Sequence, residues 1–204
     1  MLPYDTDEAL HFLRASDQQM AHLIDRVGAF ELALTSDWSP FQALVNSIIF
    51  QQISKQAGQA IQSRLFNYFN GAPEPDAILE TLPGTLRTIG FSQSKENTIR
   101  SLAASAKDGT LPDRALIKTL SDQSIIESLS THRGIGIWTA QMVLIFNLGR
   151  PDVWPITDLG IRRGYKIVYG LEELPKPSEL KNLGDHWKPF RSVASWYLWR
   201  ANDL

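Results

Sequence analysis

Apolar side chains recur at three- and four-residue spacing along nearly the whole chain, and no apolar/polar alternation lasts long enough to make a strand. That pattern restricts the chain to helices packed on helices. Ala9, Phe12 and Leu13, then Met20, Leu23, Ile24 and Val27, mark two N-terminal helices. Pro40 opens a third, where its missing N–H costs nothing, and Phe41, Leu44, Val45, Ile48 and Ile49 form its stripe. A break near Gln52–Ser54 follows, and Ser54 is placed to cap a helix carrying Ala57, Ile61, Leu65, Phe66 and Phe69. Asn70-Gly71 ends it, and Pro73, Pro75, Pro83 and Gly84 punctuate short helical pieces through Gly90. A longer helix runs from about Gln93 to Lys107. The remainder reads as helix 121–130, a tight turn at Arg133–Gly136, helix 137–148, an extended loop through Pro151 and Pro155, and helices near 158–169 and 189–202. The expected fold is all-α: two helical lobes, roughly 1–35 with 150–204 and roughly 36–149, with an active-site cleft between them.

Composition narrows the chemistry. At 43% hydrophobic and 21% charged residues, a chain of 204 has enough apolar material for a core. It contains no cysteine, which removes disulfides, cysteine–zinc sites, iron–sulfur clusters and thiol nucleophiles. His11, His22, His132 and His186 are scattered, never at the four-residue spacing of a helical zinc pair. The net charge of −2 weighs mildly against a nucleic-acid binder, although the placement of charges matters more than their sum. Asp5, Asp7, Glu8, Arg14, Asp17, Asp25 and Arg26 leave no room for a signal peptide, and no uncharged apolar run approaches the roughly 20 residues of a membrane helix. The expectation is a soluble, intracellular protein.

The most informative segment is Leu129-Ser-Thr-His-Arg-Gly-Ile-Gly-Ile-Trp-Thr-Ala140. Gly134 and Gly136 are expected to permit positive φ and to leave backbone N–H groups uncovered at the start of the next helix, where an anion is favoured. Taken alone, a Gly-x-Gly between helices is an ordinary turn; a dinucleotide-binding loop is excluded because no strand precedes it and no third glycine follows at the right spacing. Asp158, within Asp152-Val-Trp-Pro-Ile-Thr-Asp-Leu-Gly-Ile-Arg-Arg-Gly164, reads in isolation as a first-turn helix acid beside a Thr157 cap.

Together these blocks resemble the helix-hairpin-helix superfamily of DNA glycosylases. The hairpin is Gly134-Ile135-Gly136, followed by Trp138-Thr139-Ala140 and the apolar run 142–146, and the Asp158 block resembles the loop carrying the family's catalytic aspartate. Two further stretches, Phe41–Ser54 and Lys188–Arg200, resemble the alkylpurine (3-methyladenine) glycosylase II branch, so the likeness spans about residues 38–204.

The resemblance implies a DNA repair enzyme that removes alkylated purines such as 3-methyladenine and 7-methylguanine from duplex DNA and leaves an abasic site. A monofunctional glycosylase for a deaminated base or a pairing-face adduct, and a non-catalytic DNA binder, stay open. In this scheme Asp158 is the catalytic carboxylate, stabilising an oxocarbenium-like sugar. Strand-cutting members carry a lysine where Trp138 stands, so a lyase step is not expected. Trp138 is expected in the base pocket with Met142, joined by Trp38, Phe41, Trp196 and Trp199 as pocket candidates, the two C-terminal tryptophans undecided between pocket and core. Gln52 aligns with the intercalating wedge, flanked by Gln51 and Ile53. Arg133, Gly134, Ile135, Gly136, Thr139, Ser54, Lys55, Lys95, Arg162 and Arg163 are candidates for the DNA backbone.

The resemblance implies no required cofactor. Some members place a monovalent cation on the hairpin carbonyls, here those of Ser130, His132 and Ile135; an iron–sulfur cluster is excluded by the absent cysteine. The expected partner is double-stranded DNA containing a damaged base, bound by a monomer in the cytoplasm, on the nucleoid, or in a nucleus. The sequence departs from the family where His132-Arg133 replaces the usual Leu-Pro, and the sheet domain of some members does not fit before Trp38.

Overall fold

Residues 2–204 are described in a computed structural model, and among them there are helices and no strand. In chain order the helices are α1 (Thr6–Ser16), α2 (Gln18–Val27), α3 (Pro40–Ile49), α4 (Lys55–Phe69), α5 (Pro75–Glu80), α6 (Thr85–Ile89), α7 (Gln93–Asp108), α8 (Arg114–Thr119), α9 (Asp122–Ser130), α10 (Ile137–Phe146), α11 (Leu159–Tyr169), α12 (Pro177–Leu183) and α13 (Arg191–Arg200), with short 3₁₀ turns at 185–187 and 201–203. They form two compact units, Met1–Leu34 with Gly149–Leu204, and Thr35–Leu148.

Capping explains most boundaries. Ser39 and Gln42 form a capping box around Pro40, and Ser54 and Ser92 accept from Ala57 and Lys95 N–H groups at the starts of α4 and α7. Asn70 ends α4 in the left-handed conformation, φ 56°.

In the central unit, α10 is largely apolar with no single apolar face, and it packs against α3 and α9. Its C-terminal end is tied down by Asn147, whose Nδ2 donates to the carbonyls of Thr35 (2.5 Å) and Trp38 (3.3 Å). Glu96 on α7, 1% exposed, accepts from Gly84 N–H (2.8 Å) and Arg100 Nε (3.1 Å). Arg100 also donates to the carbonyls of Ile78, Thr81 and Leu82, so one buried ion pair fastens the turn between α5 and α6 to α7.

In the other unit the core gathers Leu13, Met20, Ile24, Ile161, Trp187, Val193 and Tyr197. Gly164 makes the closest helix approach: a Cβ there would lie 1.9 Å from the Leu198 carbonyl oxygen, so α11 and α13 touch backbone to backbone. The loop entering α11 is pinned to the start of α13. Ser192 N–H donates to the Pro151 carbonyl (2.9 Å), Val153 N–H to Ser192 Oγ (2.9 Å), and Arg191 grips Asp152 with Nε (2.6 Å) and Nη2 (2.9 Å).

Asp17, the N-cap of α2, is the buried polar hub of this unit. It accepts from Met20 N–H (3.0 Å), Trp187 Nε1 (3.2 Å) and the Tyr169 hydroxyl, and pairs with His186 Nε2 at 2.9 Å. Burial alone raises its pKa, but the bonds from Tyr169, His186 and Met20 outweigh burial and hold it below the ordinary carboxylate value of 3.8. A carboxylate with a depressed folded-state pKa contributes stability above its unfolded pKa and loses it as pH falls through the folded one. Chemical denaturation of the wild type and Asp17→Asn between about pH 5 and pH 2 is therefore expected to show a steeper acid loss in the wild type. Parallel curves contradict this.

Candidate active site

The hairpin follows from the way α9 ends. Beyond Ser130 the chain tightens, His132 N–H donating to Leu129 O (3.2 Å) and Ile135 N–H to His132 O (3.0 Å), while buried Ile135 anchors the turn. Gly134 is fixed as glycine twice over: its φ is 85°, and a Cβ would lie 2.4 Å from Thr98 Oγ1. Gly136 corrects the expectation of positive φ. It is the N-cap of α10 in extended backbone, φ −101°, and a Cβ on it meets nothing within 4 Å. Its smallness leaves the start of α10 uncovered, with no side-chain cap, and that is the geometry in which first-turn N–H groups take an anion. Arg133 and Ile137 are exposed around it.

The turn between α3 and α4 lies against this hairpin. Gln51 Nε2 donates to Gly134 O (3.2 Å) and Thr139 Oγ1 (2.9 Å), and Lys95 Nζ donates to the carbonyls of Ile49 and Gln51, both at 2.9 Å. Gln52 at the tip is exposed with φ 57°, a left-handed conformation that costs a residue with a side chain roughly 1 kcal/mol. Ile53 beside it is 37% exposed.

Several expectations change here. Gln51 belongs to the frame of the turn, not to its tip. Lys95 caps backbone carbonyls rather than facing a phosphate, and burial holds its ammonium below the usual lysine pKa. Thr139 is buried, with its hydroxyl accepting from Gln51. Ser54 caps α4, which Lys55 opens from an exposed position. Phe41, 1% exposed, is core because its face of α3 points inward, and Met142 on α10 is buried as well. Trp38 is half-buried edge-on to Phe66, at 5.6 Å; Trp138, on the first turn of α10, is also half-buried.

In the other unit Asp158 is itself the N-cap of α11, where Thr157 had been expected to cap. Its Oδ1 accepts from Ile161 N–H (2.8 Å) and from Trp199 Nε1 (2.9 Å). The two C-terminal tryptophans differ in their surroundings. Trp199 lies at the carboxylate, whereas Trp196 is buried edge-on to Phe30 (5.0 Å) under the Arg200 guanidinium and lines a shallow cavity of about 280 Å³ with Val27, Ala29 and Glu31. Gly160 makes the Asp158–Trp199 contact possible, since its Cβ would lie 2.8 Å from the Trp199 ring and 3.1 Å from Asp158 Oδ1. Neither Gly160 nor Gly164 was singled out from the sequence; two glycines four apart inside one helix were the available signal. Arg162 Nε donates to Pro175 O (2.7 Å), and Arg163 is exposed.

The description of one repair family matches residues 45–189, a span that holds both the glycine hairpin and Asp158. The chain belongs to the HhH-GPD superfamily of base excision DNA repair proteins. This HhH-GPD chain is 32% identical to DNA-3-methyladenine glycosylase 1 of Schizosaccharomyces pombe, across 94% of this chain and 86% of that one. It is 23% identical to DNA-3-methyladenine glycosylase 2 of Escherichia coli, across 92% and 67%. The solved structure of the S. pombe 3-methyladenine DNA glycosylase in complex with abasic DNA superposes with a TM-score of 0.93 at 31% identity, covering 97% of each chain.

No group of three or more His, Cys, Asp or Glu side chains among the described residues converges to hold a metal. No helix among them is long and apolar enough to cross a membrane.

The two kinds of glycine in this HhH-GPD chain separate experimentally. Gly164→Ala is expected to force α11 off α13 and cost about 1–3 kcal/mol in denaturant unfolding. Gly136→Ala, with open space around it, is expected to cost no more than the roughly 0.5–1 kcal/mol by which alanine is a poorer N-cap than glycine. Equal losses at both positions contradict the backbone contact.

Proposed function

We propose that this protein is a monofunctional DNA glycosylase that hydrolyses the N-glycosidic bond of alkylated purines, of the 3-methyladenine and 7-methylguanine type, in duplex DNA. The observation that carries this reading is the Asp158 carboxylate, whose Oδ1 is held by a helix N–H and the Trp199 indole.

An N3- or N7-alkylated purine is already cationic. As its bond to C1′ breaks, the electron pair goes to the base nitrogen and the base leaves neutral without a general acid. Positive charge passes to the sugar, where a preorganised carboxylate stabilises it. Water then adds its oxygen to C1′, its surplus proton passes to Asp158 or solvent, and an abasic sugar with an intact strand remains. Asp158 is suited to this because the Ile161 N–H and the Trp199 indole hold the side chain before substrate arrives, so little reorganisation accompanies bond breaking. Trp138 supplies an electron-rich ring for a cationic base and no amine for a Schiff base.

The hairpin supplies the backbone anchor through the uncovered start of α10. Exposed Arg133, Lys55 and Arg163 are the side-chain cations in this reading. Gln52 is assigned as the wedge that fills the stack when the nucleotide is everted. The hairpin also suits a monovalent cation. Its donors are the backbone carbonyls of Ser130, His132 and Ile135, and close by the Ser130 Oγ is buried without a hydrogen-bond partner. Such a cation adds positive charge for a phosphate and takes no part in bond cleavage.

Free-base release from methylated duplex DNA tests the assignment. Asp158→Asn is expected to lower the single-turnover rate at least about 100-fold while duplex binding is kept. Undiminished release from the variant points instead to a DNA-binding role for the hairpin alone. Borohydride treatment is expected to trap no protein–DNA adduct; a trapped adduct refutes the monofunctional mechanism.

A further inference from the structure

We infer that Lys95 and Gln51 are positioning residues that hold the Gln52 turn in its wedge conformation and lock it in register with the hairpin. This rests on the assignment of Gln52 as the wedge.

Gln52 has positive φ and an exposed side chain, so nothing of its own keeps it there. A left-handed residue bearing a side chain persists only when its surroundings over-determine it. The over-determination comes from the peptide unit that joins Gln51 to Gln52. Its carbonyl accepts from Lys95 Nζ at 2.9 Å, and the same ammonium holds the Ile49 carbonyl at 2.9 Å. The ammonium therefore binds the last carbonyl of α3 and the carbonyl just before the wedge together, which fixes the rotation of the peptide plane that sets the Gln52 φ.

The side chain of Gln51 provides the second restraint. Its amide reaches the hairpin, donating to Gly134 O at 3.2 Å and Thr139 Oγ1 at 2.9 Å. Helix α7 ties both turns to one support, because it carries Lys95 under the wedge turn and Thr98, whose hydroxyl packs where a Cβ of Gly134 would be. Wedge and hairpin are thus two projections from one rigid frame. A phosphate seated on the hairpin dictates where the wedge enters the base stack. Burial depresses the Lys95 pKa, as expected of an ammonium partly withdrawn from water.

This differs from a phosphate-binding lysine and from a lysine that only supports folding. A phosphate contact weakens binding to every DNA; loss of the frame impairs eversion, and a lesion with no opposite strand needs no wedge. The test uses Lys95→Met, Gln51→Leu and Lys95→Arg, with Gln52→Ala as the reference variant. Single-turnover base release is compared for one lesion in duplex and in single-stranded DNA, and a 2-aminopurine beside a tetrahydrofuran abasic analogue reports wedge insertion without any chemistry.

Lys95→Met and Gln51→Leu are expected to slow release from duplex roughly tenfold, as Gln52→Ala does, while single-strand release stays within about twofold. Both are expected to lose the 2-aminopurine signal, and Lys95→Arg, which keeps a cationic donor, to restore part of each. Combining Lys95→Met with Gln52→Ala is expected to add little further loss, since both remove the same function. Equal slowing on duplex and single strand, unchanged duplex rates, or an intact 2-aminopurine signal in Lys95→Met overturns the inference. A wild type that gives the 2-aminopurine signal but releases no base overturns the glycosylase reading and leaves the frame standing. A wild type that gives no signal removes the wedge assignment and the inference with it.

Discussion

The backbone contact between α11 and α13 sets the surroundings of Asp158. Gly164 lets the helices close until a Cβ would overlap the Leu198 carbonyl, and Gly160, one turn earlier, leaves room for the Trp199 indole. The indole N–H then meets Asp158 Oδ1 at the mouth of α11, where the helix dipole already favours a negative charge. Helix α13 holds the chain ahead of this carboxylate and at it: Ser192 and Arg191 pin the loop at Pro151–Val153, and Trp199 pins Asp158 itself. The Ile161 N–H and the Trp199 indole thus orient the Asp158 carboxylate. That suits a reaction whose leaving group departs without being protonated.

The central unit shows how a chain of net charge −2 can carry the architecture of a DNA repair family. Its anion-binding geometry is made of backbone: the uncovered start of α10 behind Gly136 and the turn that Gly134 alone permits. Amide groups contribute nothing to net charge, so composition reports them poorly. Lys95, on the helix behind this region, is directed inward to carbonyls. Counting basic residues assigns it the opposite role.

Where the sequence was readable, the reason was local. Pro40, Ser39, Ser54 and Asn70 set helix ends through chemistry within a few residues, and Gly134 announces its turn by position alone. The helices α8 and α12 escaped because six or seven residues are too few for apolar periodicity to register. Periodicity also gives a face and not a depth, so the burial of Phe41 and Met142 was not legible in it. Thr139 and Gln51 are polar residues joined across 88 positions, a pairing that no local pattern encodes. The choice between Trp196 and Trp199 had the same origin. Three residues apart on one helix, they differ only in what α11 and the Val27–Glu31 segment bring against them.

The most direct test of a carboxylate built to face a cationic sugar is a binding measurement without turnover. A duplex holding a pyrrolidine abasic analogue, charged at neutral pH, is compared with one holding neutral tetrahydrofuran, in the wild type and in Asp158→Asn. A site that stabilises developing positive charge is expected to prefer the charged analogue by about 100-fold, and to lose most of that preference in the variant. Equal affinity for the two analogues in the wild type, or a preference that survives Asp158→Asn, contradicts the account.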